Sequence, residues 1–164
     1  PIGIVELRPD PINGQRDALW KVLEKVDVLI INDGEARALG QDSNLMKVAK
    51  LVLSRGPKHL IVKRGEYGVL MFNDQQIFGA PAFPLEDVRD PTGAGDTFAG
   101  GFLGYLAATG NRSPEAMRQA IIFGSVMASF TVESFSLDRL RILDYKEIQA
   151  RFAEFKRLTH FEDV

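Results

Sequence analysis

The sequence predicts an α/β fold built on a mostly parallel sheet. In the first two thirds of the chain, short runs rich in Val, Ile and Leu alternate with segments whose apolar residues recur every three or four positions, the pattern of βαβ units. From Gly93 onward every apolar pattern is helical.

Ile2 to Leu7 reads as the first strand, followed by a turn-rich stretch, Pro9-Asp10-Pro11-Ile12-Asn13-Gly14. Leu19, Trp20, Leu23 and Val26 then mark one face of a helix, and Val28 to Ile31 is a buried strand. Ser43 to Arg55 carries Leu45, Val48, Ala49, Val52 and Leu53 at helical intervals, with Gly56 expected to end that helix in a left-handed conformation. Leu60 to Val62 is the next strand. Gly68 to Phe72 and Gln75 to Phe78 flank Asn73-Asp74 and predict an antiparallel hairpin. Ala94 to Thr109 is a helix stopped by Gly110, and Ser113 caps the next, with Pro114 in its first turn. The last helix starts at Asp144, with Glu147 in capping-box spacing. No repeat, linker or low-complexity tract interrupts this order, so one compact domain is expected.

Composition narrows the function. A chain of 164 residues, 45% hydrophobic and 26% charged, has enough apolar surface to bury a core. The net charge of −2 argues against a nucleic-acid surface and favours a small-molecule partner. There is no cysteine, hence no disulfide or thiolate metal site, and a cytoplasmic setting fits. The most apolar stretch, Phe98 to Ala108, is about half the roughly 20 residues a membrane span needs. No signal peptide is read at the N-terminus, and a proline start leading at once into a strand suggests a fragment.

Three segments carry candidate chemistry. Asp90-Pro91-Thr92-Gly93-Ala94-Gly95-Asp96 opens a helix of small residues, so the N–H groups of Gly93, Ala94 and Gly95 are expected to be unpaired donors at its positive end. Such an end binds anions, and the Asp96 carboxylate is placed to accept a proton from a substrate hydroxyl. The structural alternative is a glycine turn with a capping acid. The segment fits neither the Rossmann pattern, which would need a glycine or alanine at Phe98, nor the P-loop, since Gly-Lys-Ser/Thr is absent. Asn32 and Glu35 follow the strand Val28 to Ile31, at the sheet end where α/β folds place ligands. There they suit hydrated magnesium and phosphate, or else a helix cap with an exposed acid. Lys63-Arg64-Gly65-Glu66-Tyr67-Gly68 follows another strand and offers a positive charge and bare backbone to a nucleotide, or merely a hairpin turn. His59 and His160 have no partner at metal spacing, and Phe123, Met127 and Phe130 read as core with one edge able to flank a flat base.

In order and rough spacing, Asn32-x-x-Glu35, Lys63-x-Gly65-x-x-Gly68 and Asp90-x-x-Gly93-Ala94-Gly95-Asp96 resemble the ribokinase-like (PfkB-type) carbohydrate kinases. The run Asp90 to Gly101 is the most specific part. The resemblance implies a three-layer α/β/α fold, with ATP as donor and a sugar or nucleoside alcohol as acceptor. It makes Asp96 the base and Gly93, Ala94 and Gly95 the anion hole. Asn32 and Glu35 would order magnesium through water, and Lys63, Gly65 and Gly68 would meet the nucleotide, with Lys63 standing where threonine is frequent. Asp90 and the Thr92 carbonyl resemble half of a monovalent-cation (K+) site used by some members. Family members are about twice as long, so residues 1–164 correspond to the C-terminal nucleotide-binding and catalytic portion, without the N-terminal half and lid. The fragment is then expected to be inactive alone, and its open sheet edge invites a homodimer. Two alternatives stay open: a vitamin-precursor kinase (hydroxymethylpyrimidine or pyridoxal) of the same superfamily, and a non-catalytic nucleotide-binding module.

Overall fold

A computed structural model describes residues 3–6 and 15–162. Ile2 and Leu7, the ends of the first expected strand, and the turn expected over 9–14 lie outside the described residues. The chain forms two compact units, Pro1–Gly79 and Ala80–Val164.

In the first unit the strands β1 (Ile4–Glu6), β2 (Val28–Asn32), β3 (His59–Lys63), β4 (Val69–Phe72) and β5 (Ile77–Ala80, ending at the unit boundary) form one sheet in sequence order. The first three are parallel and β4 runs antiparallel to β3. Helices α1 (Arg16–Leu23), α2 (Asp33–Gly40) and α3 (Leu45–Leu53) supply the crossovers. Leu23, Leu39, Val48 and Val52 pack on Leu29, Ile31, Leu60 and Val62 in one apolar cluster. The alternate residues Ile30, Ile61 and Met71 are fully buried too, so β2 and β3 read as continuous hydrophobic runs. Asp27 ties three segments together: its carboxylate accepts from the Gly3 N–H at 3.2 Å and pairs with Lys58 at 2.7 Å.

Three local expectations are corrected. The helix read over 43–55 runs from Leu45 to Leu53, because Asn44 is the cap, accepting from the Met46 and Lys47 N–H groups. Gly56 is not its left-handed stop: Ser54 ends the helix in a right-handed conformation, and Gly56 has φ 143°. Glycine is needed there because a Cβ would lie 2.5 Å from the Glu24 Cα. The hairpin turn spans Asn73 to Gln76, since Asn73 Oδ1 accepts from the Gln75 and Gln76 N–H groups, and β5 starts at Ile77.

The second unit is helical after residue 93, as expected. It comprises α4 (Ala94–Thr109), α5 (Pro114–Thr131), α6 (Asp138–Ile142) and α7 (Tyr145–Thr159). Gly110 stops α4 at φ 63°, and Ser113 caps α5 through the Ala116 N–H. Helices α4 and α5 approach closely where glycines face each other: a Cβ on Gly101 would stand 3.1 Å from the Gly124 Cα. The capping box expected at α7 is half formed. Asp144 accepts from the Glu147 N–H at 2.8 Å, but the Glu147 carboxylate is drawn to the Arg139 guanidinium instead. Glu133 bridges Arg139 and Arg151, and both guanidinium groups lie over the buried Phe130 ring. Phe123 packs between Tyr105 and Phe152. Among the described residues no helix is long and apolar enough to cross a membrane.

Candidate functional site

In the first unit the candidate residues collect at the carboxyl ends of two neighbouring parallel strands. Asn32 closes β2 and Lys63 closes β3, and the register pairs them directly. Asn32 is also the cap of α2, a helix that the hydrophobic pattern alone does not reveal. Asn32 Oδ1 accepts from the Glu35 N–H and Glu35 Oε2 accepts from the Asn32 N–H, each at 2.8 Å. This reciprocal capping box satisfies two otherwise orphaned donors. The alternative of a cap with an exposed acid is therefore half right, because Glu35 is only 9% exposed. One carboxylate oxygen, Oε1, and the Asn32 amide NH2 have no partner among the described residues.

Beyond Lys63 the chain makes a short 3-10 turn, Gly65–Tyr67. Gly65 and Gly68 take φ 56° and 80°, conformations that side chains disfavour. The loop closes on itself through Arg64 N–H to Gly68 O at 2.8 Å and Gly68 N–H to Gly65 O at 3.1 Å. Tyr67 is exposed beneath the Arg64 guanidinium.

In the second unit Asp90, Thr92, Gly93, Ala94, Gly95 and Asp96 form a single loop running into α4. Asp90 Oδ1 accepts from the Thr92 N–H at 2.9 Å. That backbone bond, with a further bond from the Thr92 hydroxyl, holds the Asp90 carboxyl below its usual range. Gly93 is the N-cap at φ 83°, so only a residue tolerant of the left-handed region turns the chain into the helix here. The Ala94 N–H, expected free, donates to the Pro91 carbonyl at 3.2 Å, because the same reversal folds Pro91 back over the first turn. Of this loop's backbone donors, the N–H groups of Gly93, Gly95 and Asp96 have no partner among the described residues; the next, on Thr97, returns to the Gly93 carbonyl at 2.9 Å. Asp96 is exposed in this first turn.

The segment is anchored to the end of α5 by groups no motif announces. The Val132 carbonyl accepts from the Arg89 N–H at 2.8 Å and the Asp90 N–H at 3.4 Å, and Thr131 Oγ1 lies 2.9 Å from Thr97 Oγ1. Their sequence separation, 34 residues for the threonine pair, leaves no local signal that could have found them.

His59 is half-buried, and burial holds its imidazole below the usual pKa against the opposing pull of Asp27. Among the described residues no group of three or more His, Cys, Asp or Glu side chains gathers to hold a metal.

Comparison with known proteins places these motifs in context. Residues 5–140 match the family described as pfkB family carbohydrate kinase. A cytidine kinase of Thermococcus kodakarensis is 37% identical over 94 residues, 56% of this chain and 34% of that protein. A ribokinase of Staphylococcus aureus is 29% identical, over 69% of this chain and 37% of its own length. The solved ribokinase of Thermotoga maritima superposes with a TM-score of 0.74 at 30% identity, covering 93% of this chain and 49% of that one. Aminoimidazole riboside kinase from Salmonella enterica, solved with aminoimidazole riboside and an ATP analogue, shares the fold with a TM-score of 0.78 at 19% identity. It is covered over 52% of its length, against 93% of this chain. The chain thus spans about half the length of these structures and less of the curated relatives. These relatives are sugar and nucleoside kinases, which does not favour the vitamin-precursor or binding-module alternatives. The motif order, the sheet topology and the match over 5–140 agree: this chain belongs to the pfkB family of carbohydrate kinases.

Proposed function

We propose that this chain carries the nucleotide-binding and proton-accepting part of a kinase that moves the ATP γ-phosphate to an alcohol group of a sugar or nucleoside. The observation that carries the reading is the Asp90–Asp96 loop. A left-handed Gly93 opens a helix whose first N–H groups, on Gly93, Gly95 and Asp96, have no partner among the described residues, with a carboxylate in the same turn. The names of the family relatives support the substrate class.

Phosphoryl transfer needs positioning and charge neutralisation more than covalent help. The N–H groups of Gly93, Gly95 and Asp96 would hold the transferring phosphate, reinforced by the positive end of α4. Ala94 contributes through its place in the turn, its own N–H being spent on Pro91. Asp96 would take the proton from the acceptor hydroxyl as the oxygen attacks phosphorus. Lys63 and the backbone at Gly65 and Gly68 would meet the nucleotide phosphates and ribose. Asn32 and Glu35, with a free amide and a free carboxylate oxygen, would order water around magnesium. Magnesium, when bound, would spread the charge of the phosphates. Asp90, its carboxyl pKa held low by the Thr92 N–H and hydroxyl, would serve a monovalent cation such as K+ together with the Thr92 carbonyl. Residues 1–164 would thus act as one portion of a ribokinase-like domain.

The test is calorimetric titration of the chain with ATP and magnesium, with phosphoryl transfer to ribose, fructose and cytidine assayed both for the chain and for the longest natural reading frame that contains it. Binding is expected, and in the transferring protein Asp96→Asn should lower turnover by roughly 10²–10⁴-fold with nucleotide affinity little changed. Transfer by Asp96→Asn at the unmutated rate removes Asp96 as the base. Absence of ATP binding removes the nucleotide reading.

A further inference from the structure

We infer that Thr131, in the last turn of α5, is a positioning residue for the phosphate-binding loop, an inference that rests on the reading of Gly93 to Asp96 given above. The residue is 2% exposed and its hydroxyl meets Thr97 Oγ1 at 2.9 Å. The other acceptor within reach, the Met127 carbonyl of its own helix, is 3.5 Å away and at the limit of a hydrogen bond. The hydroxyl is therefore committed across the helix pair, because a buried O–H without a partner is costly.

Thr97 is the residue whose N–H closes the first turn of α4 on the Gly93 carbonyl. Fixing its side chain fixes the plane of the turn that carries the Gly95 and Asp96 N–H groups and the Asp96 carboxylate. The Thr131 methyl carbon backs the loop from behind, 3.9 Å from where a Cβ on Gly93 would stand. The neighbouring Val132 carbonyl holds the entry of the loop through Arg89 and Asp90. One helix end therefore clamps the loop at entry and exit. That end is itself braced, because Glu133 accepts from Arg139 Nε at 3.0 Å and pairs with Arg151 at 2.5 Å. A donor array for a transition state must be held to a fraction of an ångström, and a buried hydroxyl pair is stiff enough to do so.

The experiment compares Thr131→Val, which keeps the shape and deletes the hydroxyl, with Thr131→Ser, which keeps the hydroxyl. Amide hydrogen exchange at Thr97 is read by NMR in the ligand-free chain, and tripolyphosphate affinity is read by titration. Thr131→Val should speed Thr97 exchange and weaken tripolyphosphate by about tenfold each, the equivalent of one net hydrogen bond. Thr131→Ser should stay close to the unmutated chain in both. Unchanged exchange in Thr131→Val, or a serine variant as impaired as the valine, overturns the inference. A chain that binds no tripolyphosphate at all sinks the phosphate-binding reading, while Thr97 exchange still decides whether Thr131 orders the turn. Should Thr131→Val not fold, Thr97→Val removes the other hydroxyl from a half-exposed position and carries the same comparison.

Discussion

Replacing Gly124 by alanine tests the packing of α4 against α5 and sets two known effects against each other. Alanine is the better helix former by about 1 kcal/mol, so propensity alone predicts stabilisation in the middle of α5. Against it, the new methyl would stand 2.7 Å from the Phe98 carbonyl oxygen and 3.1 and 3.2 Å from two carbons of its ring. Ordinary carbon–oxygen contacts begin near ~3.3 Å, so the helices must separate by roughly 0.6 Å. The nearest obstacle is backbone, which cannot rotate aside. Overpacking costs about 1–3 kcal/mol, and a backbone obstacle puts this contact in the upper part of that range, about 2–3 kcal/mol, so the steric term wins. We expect Gly124→Ala to lose about 1–2 kcal/mol, a fall of about 2–8 °C in melting temperature for a chain of this size. Gly100 is the matched control, an exposed position inside α4 where a Cβ would meet nothing within 4 Å. Gly100→Ala should gain about 0.5–1 kcal/mol, since only propensity and unfolded-state entropy act there. Urea denaturation followed by far-UV circular dichroism measures both. A Gly124→Ala variant as stable as the unmutated chain would show that α4 and α5 do not meet as closely as these distances require.

Three further substitutions probe separate links. Asn32→Ala deletes the cap of α2 and should cost about 1 kcal/mol in urea unfolding, whereas Asn32→Asp keeps an acceptor and should cost less; equal losses would contradict the capping box. Glu133→Gln leaves the half-buried Arg139 and Arg151 without their shared carboxylate, so a loss of about 1–3 kcal/mol is expected, and a neutral result would mean that their stacking on Phe130 suffices. For pH, burial lowers the His59 pKa in the fold, so between that value and about 6.5 the unfolded chain binds more protons. Stability should fall as pH drops below about 6.5. His59→Gln should flatten that part of the curve, although Asp27, Lys58 and Asp74 also act on the ring, and an unchanged slope would assign the pH dependence elsewhere.

Much of the architecture is legible in the sequence, because its causes are local. The periods of Leu29 to Ile31 and of Val48 to Val52 declare strand and helix by themselves. Ser113-Pro114 and Gly110 mark helix ends through caps that need only neighbouring residues. The Asp90–Asp96 loop could likewise be singled out, since a glycine before a helix start exposes donors wherever it occurs. Other features depended on distant partners. Gly56 looks like a helix stop, yet its role is set by contact with Glu24, and Glu147 leaves its expected cap for Arg139. The Ala94 donor looked free until the turn brought Pro91 back over it. The pairing of Asn32 with Lys63 follows from the register of two parallel strands, and the clamp from Thr131 and Val132 follows from where α5 ends. The sequence by itself determined the strands and the longer helices, their order and the chemical character of the loop, because backbone propensity and capping act within a few residues, whereas the short helices α2 and α6 carry too little periodicity to declare themselves. Only the tertiary structure decided which donors stay free and what holds them in place, because those depend on hydrogen bonds between segments that meet only on folding.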